Sequence, residues 1–263
     1  MMKVSIIAII FCLLALGVFL NRPSAEISNG TETDFNRLSE QFLKNLEDGK
    51  DTEVLQNRLA NTTVDSLAST LTTDTQKLAF WVNIYNAYIQ VILTKNPELY
   101  KDRSSFFTRD QIIIAGQKIS FATIEHGIIR KSQWDKGLGY VQNPFPGDFE
   151  RKLRVDKRNY HIHFALNCGA KDCPPVAIYS AARLKEQFNK GTERYLKTTS
   201  NFDPKSNEVK VTSLFSWFRG DFGGESGIKE ILKEYNIVPK TADPKLVYKD
   251  YDWTLDLHNF IDL

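Results

Sequence analysis

The sequence predicts a single helix-rich α+β domain with a small mixed or antiparallel sheet, of papain-like or transglutaminase-like type, behind an apolar N-terminal segment. Several stretches place apolar residues at helical spacing, whereas the β-branched runs are few and short. Hydrophobic residues make up 42% and charged residues 25% of the chain, as in ordinary globular proteins. A formal net charge of +2 does not indicate a nucleic-acid partner, and we expect none.

The N-terminus has the pattern of an export signal. A basic start at Lys3 precedes the run from Val4 to Leu20, which is almost wholly apolar and contains Cys12. The run is about as long as the shortest bilayer-spanning helices, roughly 17 residues. We therefore predict a signal peptide or membrane anchor over 1–25, which engages the membrane at least during export. The protein would be periplasmic, or anchored facing outside the cytoplasm.

The first helices follow from apolar spacing. Phe35, Leu38 and Phe42 predict an amphipathic helix over 34–46, and a similar pattern continues over 54–71. We assign 26–70 to an N-terminal helical extension and 71–263 to the main domain. Asp74 is predicted as the N-cap of a long helix over 75–95, which is apolar on nearly all sides and therefore central to the core.

The rest of the chain alternates short elements. The predicted elements, in order, are a hairpin over 111–119, a helix over 121–130 capped by Ser120, a strand over 161–167, a helix over 179–197, a strand over 209–212, a helix over 228–235 and a strand over 247–253.

The long helix carries amides that are unusual in a buried helix. Asn83, Asn86 and Gln90 share one face, and buried amides need hydrogen-bond partners. They either hold neighbouring backbone or orient a catalytic imidazole, for which Asn83 is the candidate. Trp81, Tyr85 and Asn86 are candidate ligand-binding residues.

Glu125 and His126 lie in the predicted helix over 121–130. Adjacent helical side chains point about 100° apart, so Glu125 is poorly placed to orient His126 directly. Asn83 or Asn86 is the expected partner of the imidazole. The alternative is a structural histidine with no role in catalysis.

The segment from His161 to Pro175 concentrates reactive side chains. As a strand, it would put His161, His163 and Asn167 on one face and Cys168 on the other. That split disfavours zinc, and we predict no metal ion or other cofactor.

Cys168 and Cys173 allow two interpretations. They pair as a disulfide, with Gly169 giving the loop its freedom, or Cys168 is a nucleophilic thiolate. In the second case the backbone after Cys168 supplies oxyanion donors, and Lys171 or a histidine lowers the pKa of the thiol. Asn167 and Lys171 are candidate binding residues.

Four ordered motifs resemble one family. They are Ala79 to Ala87, Ile124 to Ile128, His163 to Pro175, and Ser216 to Gly223 with the later Tyr251 to Trp253. Together they resemble the domain of unknown function 547 family, over roughly 71–257. That family has no settled activity. The resemblance implies that the Glu-His and His…Cys…Cys-Pro elements belong to one constellation; Asp172, where a small residue is usual, is the mildest variation.

Three functions are compatible with the sequence, which does not decide whether the protein is an enzyme. The leading hypothesis is a thiol-dependent hydrolase or acyltransferase in which Cys168 is the nucleophile and His126 the general base. Asn83 or Glu125 would orient that base, and His163 is the alternative base. The others are a thiol–disulfide protein and a non-catalytic envelope binding module. The ligand would be a small molecule, a peptide or an envelope polymer. We expect Asn83, Asn86, His126 and Cys168 to converge on one pocket.

Overall fold

The computed structural model describes residues 34–263, which contain nine α-helices and five short β-strands joined by loops and short 3₁₀- and π-helical segments. The helices are α1 Phe35–Glu47, α2 Glu53–Asn61, α3 Val64–Thr70, α4 Asp74–Lys95, α5 Arg103–Thr108, α6 Asp148–Leu153, α7 Leu184–Thr199, α8 Leu214–Trp217 and α9 Gly224–Glu234. The strands are β1 Ile112–Ile114, β2 Gln117–Ile119, β3 Asn201–Asp203, β4 Glu208–Val211 and β5 Lys245–Tyr248. The predicted signal or anchor over 1–25, with Cys12, lies outside the described residues.

Helix α4 is the central element. Every side chain from Leu78 to Val91 is buried. Thr73, not Asp74 as predicted, is the N-cap, because its extended backbone lets its hydroxyl accept the N–H of Gln76 in a capping box. Among residues 34–263, no helix is long and apolar enough to cross a membrane.

The core has two clusters. The larger one combines α1 to α6 with the segment from His161 to Pro175, called the cysteine segment below. The smaller one combines α8, α9, the second half of α7 and the three-stranded sheet. Helix α1 packs along α4, where Phe35 meets Phe80 and Phe42 meets Tyr88 edge to face. Residues 34–70 thus contribute to the central core, while the division of the chain at 25 and 70 stays a prediction.

Two small sheets complete the fold. Strands β1 and β2 form the predicted hairpin, whose turn at Ala115 and Gly116 has positive φ angles of 52° and 71°. Strand β4 pairs antiparallel with β3 and parallel with β5, which makes the second sheet mixed. The predicted α+β class is confirmed. A papain-like or transglutaminase-like architecture stays a prediction.

The predicted strand over 161–167 is wrong. Tyr160–Phe164 is a 3₁₀ helix, because the Asn159 side chain accepts the N–H of His161 and starts a tight turn. The turn points the two histidines apart: His161 stacks on Tyr160, whereas His163 stacks on Phe218.

Two predicted helices differ from the structure. The helix over 179–197 begins only at Leu184, because Asn83 holds both backbone groups of Tyr179. The helix over 121–130 begins at the predicted Ser120 cap, whose hydroxyl accepts the N–H of Thr123, and continues as the π-helix Thr123–Ile129. π-Helical turns are rare and often occur at functional sites.

Candidate active site between the two core clusters

A cavity of about 340 Å³ lies where the two core clusters meet. It brings together five side chains that the sequence singled out: Tyr85, Glu125, His126, His163 and Cys168. Its other lining residues are Phe107, Ala122, Asp135, Leu166, Pro174, Leu214, Trp217, Phe218, Tyr251 and Trp253. The cavity is therefore largely aromatic, with two carboxyl groups and two imidazoles.

His126 is held by Arg130, which follows it by one turn of the π-helix. Nδ1 of His126 lies 2.7 Å from NH1 of Arg130. A guanidinium is always charged and only donates hydrogen bonds, so Nδ1 accepts and the ring proton lies on Nε2. Burial lowers the pKa of His126, and the charge of Arg130 adds to this against the opposing charge of Glu125. His126 is therefore neutral at neutral pH and offers an N–H donor.

This geometry corrects two expectations about His126. Its partner is Arg130 and not Asn83 or Asn86, because the asparagine amides bind backbone elsewhere. The imidazole also does not have the arrangement of a general base, since its only lone pair already accepts from the guanidinium.

His163 has the complementary arrangement. Its Nε2 lies 2.8 Å from Oδ2 of Asp221, and its ring stacks on Phe218 at 4.1 Å. Burial alone would raise the pKa of Asp221, but the hydrogen bond from His163 and the charge of Arg130 hold it well below its usual range. The ionised carboxylate only accepts, so Nε2 of His163 carries the proton and Nδ1 the lone pair.

The pKa of His163 is also below its ordinary value. Burial is the largest cause, and the hydrogen bond to Asp221 only partly opposes it. The neutral ring can therefore take up a proton at Nδ1, as a general base must.

One buried ion pair connects the two histidines. Nε of Arg130 lies 2.6 Å from Oδ2 of Asp221, and the two side chains are 1% and 3% exposed. Arg158 adds a second, more exposed contact to Oδ1 at 2.8 Å. Within residues 34–263, neither Nε2 of His126 nor Nδ1 of His163 has a hydrogen-bond partner. One ring is thus left with a free donor and the other with a free acceptor.

Sequence reasoning assigned no role to Arg130 or Asp221. The signal that could have found them was present: Arg130 comes just after the Ile124–Ile128 motif, and Asp221 lies inside the Ser216–Gly223 motif. Their partnership joins residues 91 positions apart, which no local pattern reveals.

Glu125 lies beside Tyr85 on the cavity wall. The Tyr85 hydroxyl is 3.4 Å from Oε2 of Glu125. Burial, and then the charge of Glu125, raise the pKa of Tyr85 well above its ordinary value, so the hydroxyl stays protonated and donates. Glu125 is thereby fixed as an acceptor, and it does not make a hydrogen bond to His126.

The two cysteines differ sharply in their surroundings. Their sulfurs lie at disulfide-bonding distance, with Cα atoms 5.9 Å apart. Cys168 is half-buried and lines the cavity, with Sγ 3.8 Å from the hydroxyl of Tyr251. Cys173 is only 4% exposed, and its Sγ accepts the N–H groups of Cys168 at 3.0 Å and Ala170 at 3.3 Å. No imidazole among the described residues hydrogen-bonds Sγ of Cys168.

The model of the family described as "Protein of unknown function, DUF547" matches residues 69–196. This match identifies a DUF547 domain over residues 69–196 of the chain. The match includes α4, the π-helix and the cysteine segment, and it ends before Trp217, Asp221 and Trp253. No curated protein and no solved structure matches the chain.

In the DUF547 domain the asparagines of α4 bind backbone. The Asn83 amide donates to the carbonyl of Tyr179 at 2.7 Å and accepts its N–H at 2.9 Å. The Asn86 amide likewise donates to the carbonyl of Ala165 and accepts the N–H of Asn167. The expectation that Asn83 and Asn86 converge on the pocket is therefore wrong, because neither lines it.

Three other predicted binding residues lie outside the cavity lining of the DUF547 domain. Trp81 is fully buried in the core, and Lys171 is exposed beside Asp252 at 3.4 Å. Asn167 shapes the cysteine loop, since its side chain accepts the N–H of Gly169 and donates to the carbonyl of Pro174. Within residues 34–263, no three His, Cys, Asp or Glu side chains form a group able to hold a metal ion.

An aromatic wall of Trp217, Tyr251 and Trp253 closes one side of the cavity. The two indoles stack at 5.5 Å, and Tyr251 packs against both of them. Arg103 lies 4.8 Å over the Trp253 ring. Both tryptophans lie in the family motifs, but no local sequence pattern predicts that they line a cavity.

Proposed function

We propose that the DUF547 pocket is an acid–base site for hydrolysis or acyl transfer. The observation that carries the proposal is the Arg130–Asp221 pair, which leaves a lone pair on His163 and an N–H on His126 at one cavity. Acyl transfer needs a base for the nucleophile and a donor for the oxyanion. The two imidazoles have these two properties.

The proton follows a defined route in this proposal. Nδ1 of His163 takes the proton of the attacking nucleophile and later gives it to the leaving group. Asp221 holds the ring in this tautomer and stabilises the imidazolium while it exists. Nε2–H of His126 donates to the oxygen that becomes negative, and Arg130 keeps that ring neutral. Arg130 and Asp221 are positioning residues, and His163 and His126 are the catalytic candidates.

Cys168 is the candidate nucleophile when it is reduced, because it lines the same cavity. The base assignment moves from His126, as first expected, to His163. While Cys168 and Cys173 are joined, a water molecule would have to replace the thiol as nucleophile. The dependence on reductant therefore separates the two forms of the proposal.

The test is turnover of acyl substrates by the full-length protein, with and without reductant. With p-nitrophenyl acetate and amide or thioester analogues, we expect His163→Gln to lower kcat/KM by about 10²–10⁴-fold. His126→Gln should lower it by about 10²–10³-fold, as when an oxyanion donor is lost. His161→Gln is the matched control, since His161 does not line the cavity. Equal rates for wild type and His163→Gln would contradict the proposal.

A binding module without catalysis is the second candidate, and the aromatic wall favours it. Stacked tryptophans beside carboxyl groups suit a small molecule, a peptide or an envelope polymer. If Trp217→Ala abolishes binding of a ligand that His163→Gln still binds unchanged, and no substrate turns over, this second function replaces the first.

We also propose that the protein acts outside the cytoplasm. The support is the apolar run after Lys3, which would engage the membrane at least during export. Cell fractionation tests this: full-length protein found in the cytosolic fraction would contradict it.

A further inference from the structure

We infer that Cys168 is a thiol-exchange site, at which a small thiol enters the pocket and forms a mixed disulfide with Cys168 while Cys173 leaves as a thiolate. The inference goes beyond the proposed function and does not depend on it, since exchange needs no acyl substrate. It stands on three observations about the pair: access, the leaving group and the loop that carries both residues.

Access favours attack at Cys168. Its side chain lines the cavity, whereas Cys173 is only 4% exposed and is not part of the cavity lining. Disulfide exchange requires a thiolate to reach one sulfur, and its rate depends on which sulfur is attacked. A thiol inside the cavity therefore meets Cys168 first.

The leaving group is prepared at Cys173. Its Sγ already accepts two backbone N–H groups, from Cys168 and Ala170. Hydrogen bonds to the charged form of a group favour that form, and a thiol of lower pKa leaves faster. Cleavage in the opposite sense would put the charge on Cys168, whose Sγ has, among the described residues, only the Tyr251 hydroxyl at 3.8 Å.

The loop keeps these donors in place. Besides the Asn167 contacts described above, the N–H of Lys171 bonds the carbonyl of Thr254, and the N–H of Asp256 bonds the carbonyl of Gly169. These bonds do not involve sulfur, so they persist when the disulfide opens. The site is therefore suited to repeated opening and closing.

The exchange takes place in two steps. The thiolate RS⁻ attacks Sγ of Cys168, the electron pair of the S–S bond moves to Sγ of Cys173, and an R–S–S bond to Cys168 forms. A second thiolate then attacks the R sulfur, which releases RSSR and a Cys168 thiolate. The protein disulfide is reduced by two electrons, and two thiols are oxidised to one disulfide.

The cavity also indicates the charge of the thiol. Within residues 34–263, its charged lining residues are Glu125 and Asp135, and no lysine or arginine of that part belongs to the lining. Carboxylates repel an anionic thiol and attract an ammonium group, the more so because the site is partly buried. The substrate class is thus a thiol of neutral or positive charge.

The first experiment uses the full chain with Cys12→Ser, so that only the pair carries thiols. Cystamine, a disulfide with ammonium groups, is added to Cys173→Ser and to Cys168→Ser, and the adduct is followed by intact mass. We expect Cys168 in the first variant to react at least about tenfold faster than Cys173 in the second, since reactivity follows exposure. Equal rates, or a faster Cys173, would overturn the inference.

A second measurement avoids the variants, in case either fails to fold. The protein carrying only Cys12→Ser is reduced under native conditions, pulsed with iodoacetamide and digested, and the labelled cysteine is identified by mass. Label on Cys168 before Cys173 supports the inference, and label on Cys173 first contradicts it. Cysteamine should reduce the pair faster than 3-mercaptopropionate, relative to their rates on a free model disulfide. No difference between the two thiols would remove the charge assignment.

Discussion

The asparagines of α4 and the histidines of the cavity are polar side chains that lie wholly or largely inside the protein beside the same helix, yet their hydrogen bonding differs. The side-chain amides of Asn83 and Asn86 each donate one hydrogen bond to, and accept one from, the backbone of a distant segment. His126 and His163 each use one ring nitrogen to hydrogen-bond a member of the buried Arg130–Asp221 ion pair, and the other ring nitrogen has no partner among the described residues. A buried group with all its bonds made holds the fold, whereas a group with one bond missing is available for chemistry.

His161 helps to define this comparison. Both of its ring nitrogens are occupied, one by Asn159 at 2.7 Å and the other by the Tyr235 hydroxyl at 3.1 Å. By the same criterion it belongs with the asparagines, although it stands only two residues from His163.

The largest loss of stability should follow when the buried Arg130–Asp221 ion pair is broken. Asp221→Ala leaves Arg130 as an uncompensated buried charge, which typically costs about 3–5 kcal/mol of unfolding free energy. Urea denaturation measures this loss. Asp243→Ala is the control, since Asp243 pairs with Lys229 at the surface and its side chain is 82% exposed. If both variants are equally stable, the pair does not hold the site together.

Substitution of the α4 asparagines should cause the second-largest loss of stability. Asn86→Ala leaves the carbonyl of Ala165 and the N–H of Asn167 unpaired in the core, at a cost of about 2–4 kcal/mol. Asn61→Ala, at an exposed position, should change the urea midpoint little. We expect the imidazole titrations in Asn86→Ala to match wild type. A changed pKa of His126 in Asn86→Ala would mean that the asparagines of α4 and the cavity are coupled.

The pH dependence of stability tests the third histidine. Burial lowers the pKa of His161 to about 4, and the nearby Asn189 side chain, an acceptor for the protonated ring, opposes this only partly. Its unfolded pKa is near 6.5, so the unfolded chain binds more protons between these values. The contribution of His161 to the unfolding free energy is fully present above about pH 6.5. It is lost as the pH drops towards 4, which lowers the unfolding free energy by roughly 3 kcal/mol.

Urea unfolding across this pH range gives the measurement. His161→Gln should remove that share of the slope, with the same substitution at exposed His258 as control. An unchanged slope in His161→Gln would exclude His161 as its source.

The smallest effect is spectroscopic. Nitrogen-15 NMR at neutral pH should show His126 and His163 both as Nε2–H tautomers, because Arg130 and Asp221 leave no other arrangement. Arg130→Gln should mix the tautomers of His126, since an amide can donate or accept. An Nδ1–H tautomer of His126 in wild type would contradict the donor assignment.

Much of the local structure was predictable because it depends on near neighbours. Apolar spacing located α1, α4 and α9, Gly116 and Gln117 after a β-branched run indicated the hairpin, and Ser120 was recognised as a cap. The cysteine pair and the family motifs were also legible in the sequence. The prediction of a strand over 161–167 was wrong because Asn159 caps a 3₁₀ turn at this point, although the residues alternate as in a strand.

The sequence by itself determined the helix-rich α+β class, the central helix and the list of reactive side chains, since periodicity and capping act over a few residues. Only the tertiary structure decided which of those side chains meet. Arg130 reaches Asp221 across 91 positions, and Asn83 reaches Tyr179 across 96. Buried polar groups take the partners that packing brings to them, so it was packing that made the asparagines structural and gave His126 and His163 opposite free atoms in one cavity.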